Sequence, residues 1–542
     1  MKRMEADVVV IGGGATGTGC ARDAAMRGYS VIMVDRADIG QGTSGRYHGL
    51  LHSGGRYVVS DPRSATECAE ERDIVARIHA DAVEETGGLF VATPGDPMDF
   101  TDKFAAGAVK AKVPCEEIPI AKALELEPRL NPGITRAFRV HDGTVDGWQM
   151  MWGAANSAKE YGAQILTYTT VTGIETENEQ VKAVICQTHD GEELRIDTSF
   201  VLNAAGPWSG HVAEMAGCHD VEVVAGRGIM IAMNHRLVNH VINRCIYPAD
   251  GDILVPVHTV SIIGTTDQKS DDADKLAIPF KEVQQMLDSG EALIPGFRTQ
   301  RACHAWAGAR PLVKDKRVAA GDTRHMSRGM SILDHAERDG LKGLITISGG
   351  KLTTYRLMAK NAVDEMERQT GNTHPCRTAD EAVPGSKSGK NYLITHRLGE
   401  REHDRLDDPV ICECELMTKS MFVDLMKDEK GDFQIDDLRR QLRIGMGPCQ
   451  GGFCSMRAAG LTTSCQALDA KDATRLLRLF LKNRWIGLWP ILFGNQVNQT
   501  ALDNWIFHGL FDIDHLPDPG DTGPAIPDLS DTDAMEGRET VK

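Results

Sequence analysis

Long apolar runs are missing from this sequence of 542 residues. Its apolar segments, such as residues 8–11, have the length of a strand, whereas a membrane-spanning helix needs about 20 apolar residues. The first seven residues also lack the apolar stretch of a secretory signal peptide. These absences argue against an integral membrane protein and against a secreted one, and they predict a cytoplasmic chain.

Basic residues are scarce relative to acidic ones, with 60 Lys and Arg against 77 Asp and Glu and a net charge of −17. Because nucleic acids select basic surfaces, this balance argues against a nucleic-acid-binding protein. Part of the charge is local, since residues 511–542 hold nine acidic and two basic side chains together with several Pro and Gly. Few large apolar side chains accompany them, so this tail is predicted to be disordered.

Apolar material is sufficient for a large globular protein, at 41% of the residues. At roughly 150 residues per domain, the length predicts three or four structural units. The polar segment 377–408 contains Pro384 and Gly385 and is predicted to be an interdomain linker. It would separate an N-terminal part, residues 1–376, from a smaller domain with C-terminal helices at residues 409–510.

The N-terminus carries a glycine motif inside a predicted strand–helix–strand unit, residues 7–35. Gly12, Gly14 and Gly17 lie between the first strand and the helix, and Asp35 ends the second strand. The glycines permit a tight turn close to a pyrophosphate, the helix N-terminus attracts that anion, and the acid can accept hydrogen bonds from a ribose. This order predicts a dinucleotide site for NAD or FAD, rather than a glycine turn in an ordinary α/β unit.

Four of the thirteen cysteines are organised in two close pairs, Cys412 with Cys414 and Cys449 with Cys454. Two thiolate pairs separated by a helix-length stretch are typical of a four-thiolate metal site. The spacing of the cysteines alone hardly favours either Zn²⁺ or a [2Fe–2S] cluster over the other. A flavin-type N-terminal half favours iron, because zinc has no redox role.

Four basic side chains stand beside glycines or turns and could converge on a dianionic phosphate: Arg56, Arg310, Arg328 and Lys351. Guanidinium forks match phosphate oxygens well. An isolated arginine is more often a solvated surface residue, so spacing alone leaves both interpretations open.

Five motifs together resemble the FAD-dependent glycerol-3-phosphate dehydrogenases. They are VVVIGGGATG at 8–17, HGLLHSGGRY at 48–57, NAAG at 203–206, ARPL at 309–312 and GGKLTTYR at 349–356. With the four cysteines added, the chain is similar to the large catalytic A subunits of the anaerobic, multisubunit enzymes. The resemblance spans about residues 5–510.

The resemblance implies an α/β fold with a Rossmann-type FAD-binding domain of the D-amino-acid-oxidase type and an inserted mixed-sheet substrate part. It also implies a small α-rich domain similar to bacterioferritin-associated ferredoxin, in which Cys412, Cys414, Cys449 and Cys454 hold a [2Fe–2S] cluster. The resemblance therefore favours iron over zinc at the four cysteines.

Site residues follow from the same resemblance. The implied FAD neighbours are Gly12, Gly14, Gly17, Asp35, Thr43, Ser44, His48, Gly49, Leu50, Val171, Gly206, Gly350 and Leu352. The implied substrate-binding residues are Arg56, Tyr57, Arg310, Arg328, Lys351 and Thr353, with His52 and Arg310 as catalytic residues. His52 and water are the candidate bases, because residues 225–229 lack the histidine that the single-subunit relatives carry there.

The implied activity is oxidation of sn-glycerol 3-phosphate to dihydroxyacetone phosphate by hydride transfer to FAD, as in the quinone-dependent enzymes (EC 1.1.5.3). Electrons would pass through the cluster to partner subunits and membrane quinone, which would make the chain peripheral to the inner face of the membrane. The basic, amphipathic segment 475–485 either docks a partner or membrane, or packs as an ordinary helix. The alternatives are a related amino or hydroxy acid as substrate, and a structural zinc or iron-sensing module at the C-terminus.

Overall fold

The structure is a computed structural model. It describes residues 2–517 except 316–328, 387–388, 390–391, 405–406, 429–432 and 467. The predicted substrate residue Arg328 and the acidic tail from residue 518 onward lie outside the described residues. Among the described residues, every helix is too short or too polar to cross a bilayer.

The strands, in chain order, are β1 Lys2–Glu5, β2 Val8–Ile11, β3 Val31–Val34, β4 Leu50–Leu51, β5 Val83–Glu84, β6 Gly88–Ala92, β7 Cys115–Glu117, β8 Arg136–Val140, β9 Gly143–Val145, β10 Gln164–Leu166, β11 Thr169–Glu177, β12 Gln180–Thr188, β13 Glu193–Asp197, β14 Phe200–Asn203, β15 Val221–Met233, β16 Val241–Arg244, β17 Ile253–Val257, β18 Val260–Gly264, β19 Gln268–Ser270, β20 Ala302–Asp315, β21 Met330–Asp334, β22 Leu344–Gly349, β23 Val410–Cys412 and β24 Met417–Thr418.

The α-helices are α1 Ala15–Met26, α2 Pro62–Ile78, α3 Met98–Lys110, α4 Ile120–Leu126, α5 Gly147–Glu160, α6 Ser209–Glu214, α7 Phe280–Leu293, α8 His335–Asp339, α9 Tyr355–Thr370, α10 Ile394–Asp404, α11 Lys419–Asp428, α12 Ile435–Leu442, α13 Cys454–Gln466, α14 Ala470–Leu488 and α15 Asn495–Asn504.

The predicted strand–helix–strand unit forms the centre of a six-stranded sheet with the order β10-β3-β2-β14-β22-β21. Neighbouring strands in it are parallel except for β21, which runs antiparallel to β22. Alternate side chains of β2 point to opposite faces, as a strand requires. Val8 and Val10 pack against α1, α5 and α9, whereas Val9 and Ile11 pack against strands β11 to β13. Burial on both faces explains why these strands are continuously apolar.

A nine-stranded mixed sheet lies beside this unit and comes from two separate insertions, residues 88–140 and 221–315. Its order is β19-β15-β18-β17-β16-β6-β8-β7, with β20 paired to β15. The join between the insertions is parallel, β16 to β6, and the other pairings are antiparallel. The mixed sheet that the resemblance implied is therefore present.

The amphipathic pattern that starts at Lys351 predicts a helix from that residue to Met366, but the helix begins four residues later. Lys351 has an extended backbone, and a 3-10 turn, Leu352–Thr354, precedes α9 at Tyr355. The Lys351 backbone N–H donates to Thr354 Oγ1 at 3.3 Å, which fixes this turn. The predicted helix start was wrong because a periodic pattern does not distinguish a capping turn from the first helical turn.

The predicted linker contains the helix α10 and a buried aromatic anchor, Tyr392. Its ring centroid lies 4.2 Å from that of His258, and its hydroxyl lies 3.1 Å from Thr144 Oγ1. A single tyrosine in a polar segment carries little signal, which is why composition indicated a loop. The domain boundaries proposed above stay a prediction.

The C-terminal part has its own apolar core, built by α11 to α14 around the hairpin β23–β24. The amphipathic segment 475–485 belongs to α14, and its Leu476, Leu477 and Phe480 are buried in this core. Farther along α14, Trp485 and Leu488 pack on the core of the nine-stranded sheet. The apolar face of this segment is covered by its own chain, so the docking hypothesis is wrong for that face.

A buried ion network joins the C-terminal part to the N-terminal part. Arg443 Nη1 lies 3.0 Å from Asp146 Oδ2, and Arg443 Nε lies 3.1 Å from Glu415 Oε2. His258 Nδ1 lies 3.2 Å from the same oxygen of Glu415. Burial would raise the pKa of Glu415, but Arg443 and His258 lower it to about 2.

Replacing Arg443 by Met should destabilise the protein by about 3–5 kcal/mol, because two buried carboxylates would lose their shared counter-charge. Urea unfolding measures the loss. The matched control is Lys122→Met, which removes an exposed ion pair with Glu125 and should cost at most about 1 kcal/mol. Equal losses in the two variants would contradict the assigned role of Arg443.

Candidate active site

A cavity of about 1060 Å³ runs from the carboxyl ends of the parallel strands to the nine-stranded sheet. Its walls come from the turn after β2, the turn after β14, the segment after β22 and the strand β20. Ligands of open α/β sheets bind at the carboxyl ends of the strands, so the topology marks this cavity as the main candidate site.

One end of the cavity has the features of a dinucleotide site. Gly12 has φ +110°, and a Cβ there would lie 2.6 Å from the Ala204 carbonyl oxygen. A Cβ on Gly17 would overlap the Gly12 carbonyl oxygen. These two glycines therefore allow the turn after β2 to pack against both α1 and the turn after β14.

Asp35 lies at the end of β3 and shapes the same turn. Its Oδ2 accepts from the Gly13 backbone N–H at 2.5 Å, and its Oδ1 accepts from the Ala37 backbone N–H at 2.8 Å. Burial raises the pKa of Asp35, while the two backbone donors lower it. Asp35 also lines the cavity, where its carboxylate can accept hydrogen bonds from a ribose.

The residues present fit FAD. The cavity volume exceeds that of ordinary small-molecule pockets, and the close approach of the glycine turn leaves backbone, rather than side chains, to face a pyrophosphate. After β22, Gly349 and Gly350 have φ +78° and +69°, and a Cβ on Gly350 would overlap Met358 Sδ. Glycine is thus required in two of the turns that line the cavity.

Eleven of the thirteen predicted FAD neighbours line the cavity: Gly12, Gly14, Asp35, Thr43, Ser44, His48, Leu50, Val171, Gly206, Gly350 and Leu352. Gly17 lies behind the glycine turn and supports it. Gly49 instead lines a second cavity, of about 520 Å³, and a Cβ on it would lie 2.6 Å from Val257 Cγ2.

Five of the predicted substrate and catalytic residues line the cavity, whereas Arg56 does not. The five are His52, Tyr57, Arg310, Lys351 and Thr353. Lys351 Nζ lies 4.3 Å from the centroid of the Tyr57 ring, and the His52 ring stacks on the same ring at 5.0 Å between centroids. Cationic and donor groups therefore surround one aromatic ring.

Each arginine of this group is oriented by a carboxylate. Arg56 Nη2 donates to Asp252 Oδ2 at 3.0 Å, and Asp252 is buried. Arg310 Nη1 donates to Asp267 Oδ1 at 3.2 Å, while its Nη2 donates to Thr265 Oγ1. Asp252 and Asp267 were not anticipated, because single acidic residues in distant loops give no local signal.

Residues 225–229, which lack a histidine, lie in β15. Gly228 pairs with Gly308 of β20. A Cβ on Gly228 would lie 2.6 Å from the Thr266 carbonyl oxygen and 2.7 Å from Arg310 Nη2. Arg227 points elsewhere and donates to Glu282 and to the Ala277 carbonyl oxygen. In this chain the segment makes room for the guanidinium of Arg310 and supplies no base.

Both histidines of the site are neutral. Burial, followed by the charges of Arg56 and Arg310, lowers the pKa of His48 to about 3. Burial and the charges of Arg56 and Lys351 also hold the pKa of His52 well below its usual value.

The turn that carries His52 is held by a buried acid that the sequence pattern did not reveal. Asp142 Oδ1 accepts from the Ser53 backbone N–H at 2.8 Å, and Asp142 Oδ2 accepts from Asn243 Nδ2 at 3.0 Å. The His52 backbone N–H donates to Thr353 Oγ1 at 3.1 Å. Three distant segments thus position this turn.

The four organised cysteines form two thiol pairs, Cys412 with Cys454 and Cys414 with Cys449. The Cys414 hydrogen bond and the backbone N–H groups of residues 451–453 lower the pKa of Cys449 to about 6. The Cys454 hydrogen bond likewise lowers the pKa of Cys412, which also receives backbone N–H groups. Thiolates surrounded by backbone donors fit a metal or an iron–sulfur group.

This architecture, with its glycine-lined cavity, defines the class of the FAD dependent oxidoreductases, and the family model of that description matches residues 7–356. Within this class the chain belongs to the family of the anaerobic glycerol-3-phosphate dehydrogenase A subunits. It is 41% identical to the family member of Escherichia coli K12, over 93% of this chain and 96% of the relative. It is 38% identical to the family member of Haemophilus influenzae, over 96% and 97%.

A solved structure shows the same fold. The glycerol-3-phosphate dehydrogenase from Bacillus halodurans, complexed with FAD, aligns with a TM-score of 0.56 at 20% identity and covers 95% of this chain and 96% of its own. The family resemblance and the fold class of the N-terminal part are confirmed.

Proposed function

We propose that this chain is the catalytic component of an enzyme that oxidises sn-glycerol 3-phosphate to dihydroxyacetone phosphate with FAD. The observation that carries the proposal is the presence of Arg310 and Lys351 in the wall of the cavity, together with the charge of Arg56, which acts on the rings of His48 and His52. A phosphate dianion accepts several charge-assisted hydrogen bonds at once, whereas the carboxylate of an amino or hydroxy acid is satisfied by a single guanidinium fork.

The chain's own residues bind and orient the substrate. The arginines are held by Asp252 and Asp267, so their guanidinium groups are positioned before the substrate arrives. Fixing the phosphate at a distance from the reacting carbon directs binding energy into orientation of that carbon.

FAD would be held by the glycine turn, Asp35, Ser44 and the segment that contains Gly350. When bound, it supplies the acceptor for the hydride from C2 of the substrate. The oxygen on the same carbon loses its proton to a base, for which His52 and water are the candidates.

We further propose that Cys412, Cys414, Cys449 and Cys454 hold a [2Fe–2S] cluster in a domain similar to bacterioferritin-associated ferredoxin. The paired thiols with backbone donors support this proposal, and a bound cluster would supply one-electron transfer. The alternative group is a structural zinc ion, which would leave the electrons on FAD.

The electron acceptors that we propose are partner subunits and, finally, membrane quinone, which corresponds to EC 1.1.5.3. The relatives' names support this, because each relative is named as one subunit of its enzyme and thus as one part of an assembly. Partner subunits would place the chain at the inner face of the membrane.

Replacing Arg310 by Met should raise the Kd for sn-glycerol 3-phosphate by roughly 100-fold, because one charge-assisted fork is lost. Arg310→Lys keeps the charge without the fork and should lie between Met and wild type. Anaerobic stopped-flow reduction of the flavin gives the Kd of each variant. An unchanged Kd in Arg310→Met would contradict the phosphate assignment.

A further inference from the structure

The ring of His52 has a fixed tautomer in the structure. Its Nδ1 lies 2.7 Å from the backbone nitrogen of Gly54, with the N–H directed at the ring. A backbone N–H can only donate, so Nδ1 must be the unprotonated nitrogen and the ring proton of the neutral imidazole lies on Nε2. His48 repeats the arrangement with the backbone N–H of Leu50, at 3.3 Å.

The Nε2 atom of His52 is buried and has no hydrogen-bond partner among the described residues. His52 itself is 8% exposed. An unsatisfied buried donor costs about 1–3 kcal/mol, and native structures rarely retain one without a reason. Because His52 lines the cavity, a ligand can supply the missing acceptor.

The surroundings of His52 indicate the charge of that acceptor. Tyr57 stacks on the imidazole, and Lys351 lies over the same tyrosine ring. Burial, followed by the charges of Arg56 and Lys351, disfavours a second proton on the ring. A ligand that enters among these groups meets cations and N–H donors, so the group it places there is anionic.

We propose that His52 binds the substrate as a neutral Nε2–H donor to a phosphate oxygen, together with Lys351, and that water, rather than His52, accepts the hydroxyl proton. The proposal rests on the proposed function. It changes the role of His52 from the expected catalytic base to a hydrogen-bond donor of the phosphate site.

The hydrogen bond from the Gly54 N–H to Nδ1 explains why His52 cannot act as a base through Nε2. A base at Nε2 must carry its ring proton on Nδ1, where the Gly54 N–H already points. The opposite tautomer would bring two N–H groups together at 2.7 Å between the nitrogens and would break the turn that Asp142 holds through Ser53. The hydrogen-bond partner of Nδ1 thus selects which nitrogen is offered to the ligand.

Two amide variants of His52 distinguish its role as a hydrogen-bond donor from a role as a base. In His52→Gln the side-chain NH₂ group reaches the position of Nε2, whereas in His52→Asn it reaches only the position of Nδ1. Neither amide acts as a base near neutral pH, and both retain a polar side chain of similar bulk. FAD content and thermal unfolding establish that both variants are folded.

The measurements are the Kd for inorganic phosphate, followed by flavin absorption of the FAD-loaded chain, and the anaerobic rate of flavin reduction. We expect His52→Gln to bind phosphate within about threefold of wild type and His52→Asn to bind it roughly 10- to 100-fold more weakly. At saturating substrate, both variants should lose less than about tenfold in reduction rate, whereas loss of a general base costs about 10²–10⁴-fold.

The proposal is overturned if both variants bind phosphate like wild type while both lose the reduction rate alike, because that pattern belongs to a base. It is also overturned if His52→Gln binds phosphate as weakly as His52→Asn. Phosphate binding is measured without turnover. Failure of wild-type flavin reduction by sn-glycerol 3-phosphate would therefore contradict the proposed function and leave the phosphate comparison standing as a separate result.

Discussion

A Gly17→Ala variant should fold without retaining FAD. The added Cβ would overlap the Gly12 carbonyl oxygen, which is backbone and cannot rotate away. Relief requires the turn after β2 to move off α1, and the same turn forms the floor of the cavity that would face the pyrophosphate. Forcing one methyl group into such a contact costs about 1–3 kcal/mol or more, so FAD should bind about 100-fold more weakly.

The matched control is Gly460→Ala, because Gly460 lies within α13 and its added Cβ would meet no atom within 4 Å from the other described segments. Alanine is the better helix former, so this variant should keep its FAD and gain up to about 1 kcal/mol. FAD released on denaturation, measured per chain, compares the two. Equal FAD content in both variants would contradict the role assigned to the glycine turn.

A Cys449→Ser variant should lose its iron while it keeps its flavin. Cys449 is paired with Cys414 and receives backbone N–H groups, so it is a central ligand of the proposed cluster. Serine offers a hydroxyl that does not ionise near neutral pH and cannot replace the thiolate. Iron and acid-labile sulfide should fall from about two per chain to near zero.

Reductive titration shows the functional consequence. Wild-type protein should take up about three electrons per chain, two on FAD and one on the cluster, and Cys449→Ser about two. Cys465→Ser is the matched control, since Cys465 lies in α13 of the same domain and outside the two thiol pairs. Zinc instead of iron in the wild-type protein, or two electrons in all three proteins, would contradict the cluster proposal.

The parts of the fold that were predicted from the sequence depend on local patterns. The turn after β2 needs glycine at fixed positions, and β2 and β3 are apolar because both faces are covered. The nine-stranded sheet was implied only by resemblance. Its central pairing joins β6 to β16, which are about 150 residues apart, and no local signal encodes such a pairing.

The residues of the candidate site likewise fall into two groups, those in local sequence motifs and those contributed by distant segments. Arg310 and Lys351 stand in recognisable motifs and line the cavity as expected. The acids that orient the arginines, Asp252 and Asp267, come from loops elsewhere in the chain. The tautomer of His52 depends on one backbone N–H two residues away, which residue types alone do not reveal.

The most direct test of the account is anaerobic mixing of the FAD-loaded protein with sn-glycerol 3-phosphate and, separately, with glycerate, its carboxylate counterpart. The account predicts that the flavin absorption bleaches with the phosphate ester and stays unchanged with glycerate at the same concentration. Bleaching by glycerate without bleaching by sn-glycerol 3-phosphate would contradict the central claim and assign the cavity to a hydroxy acid.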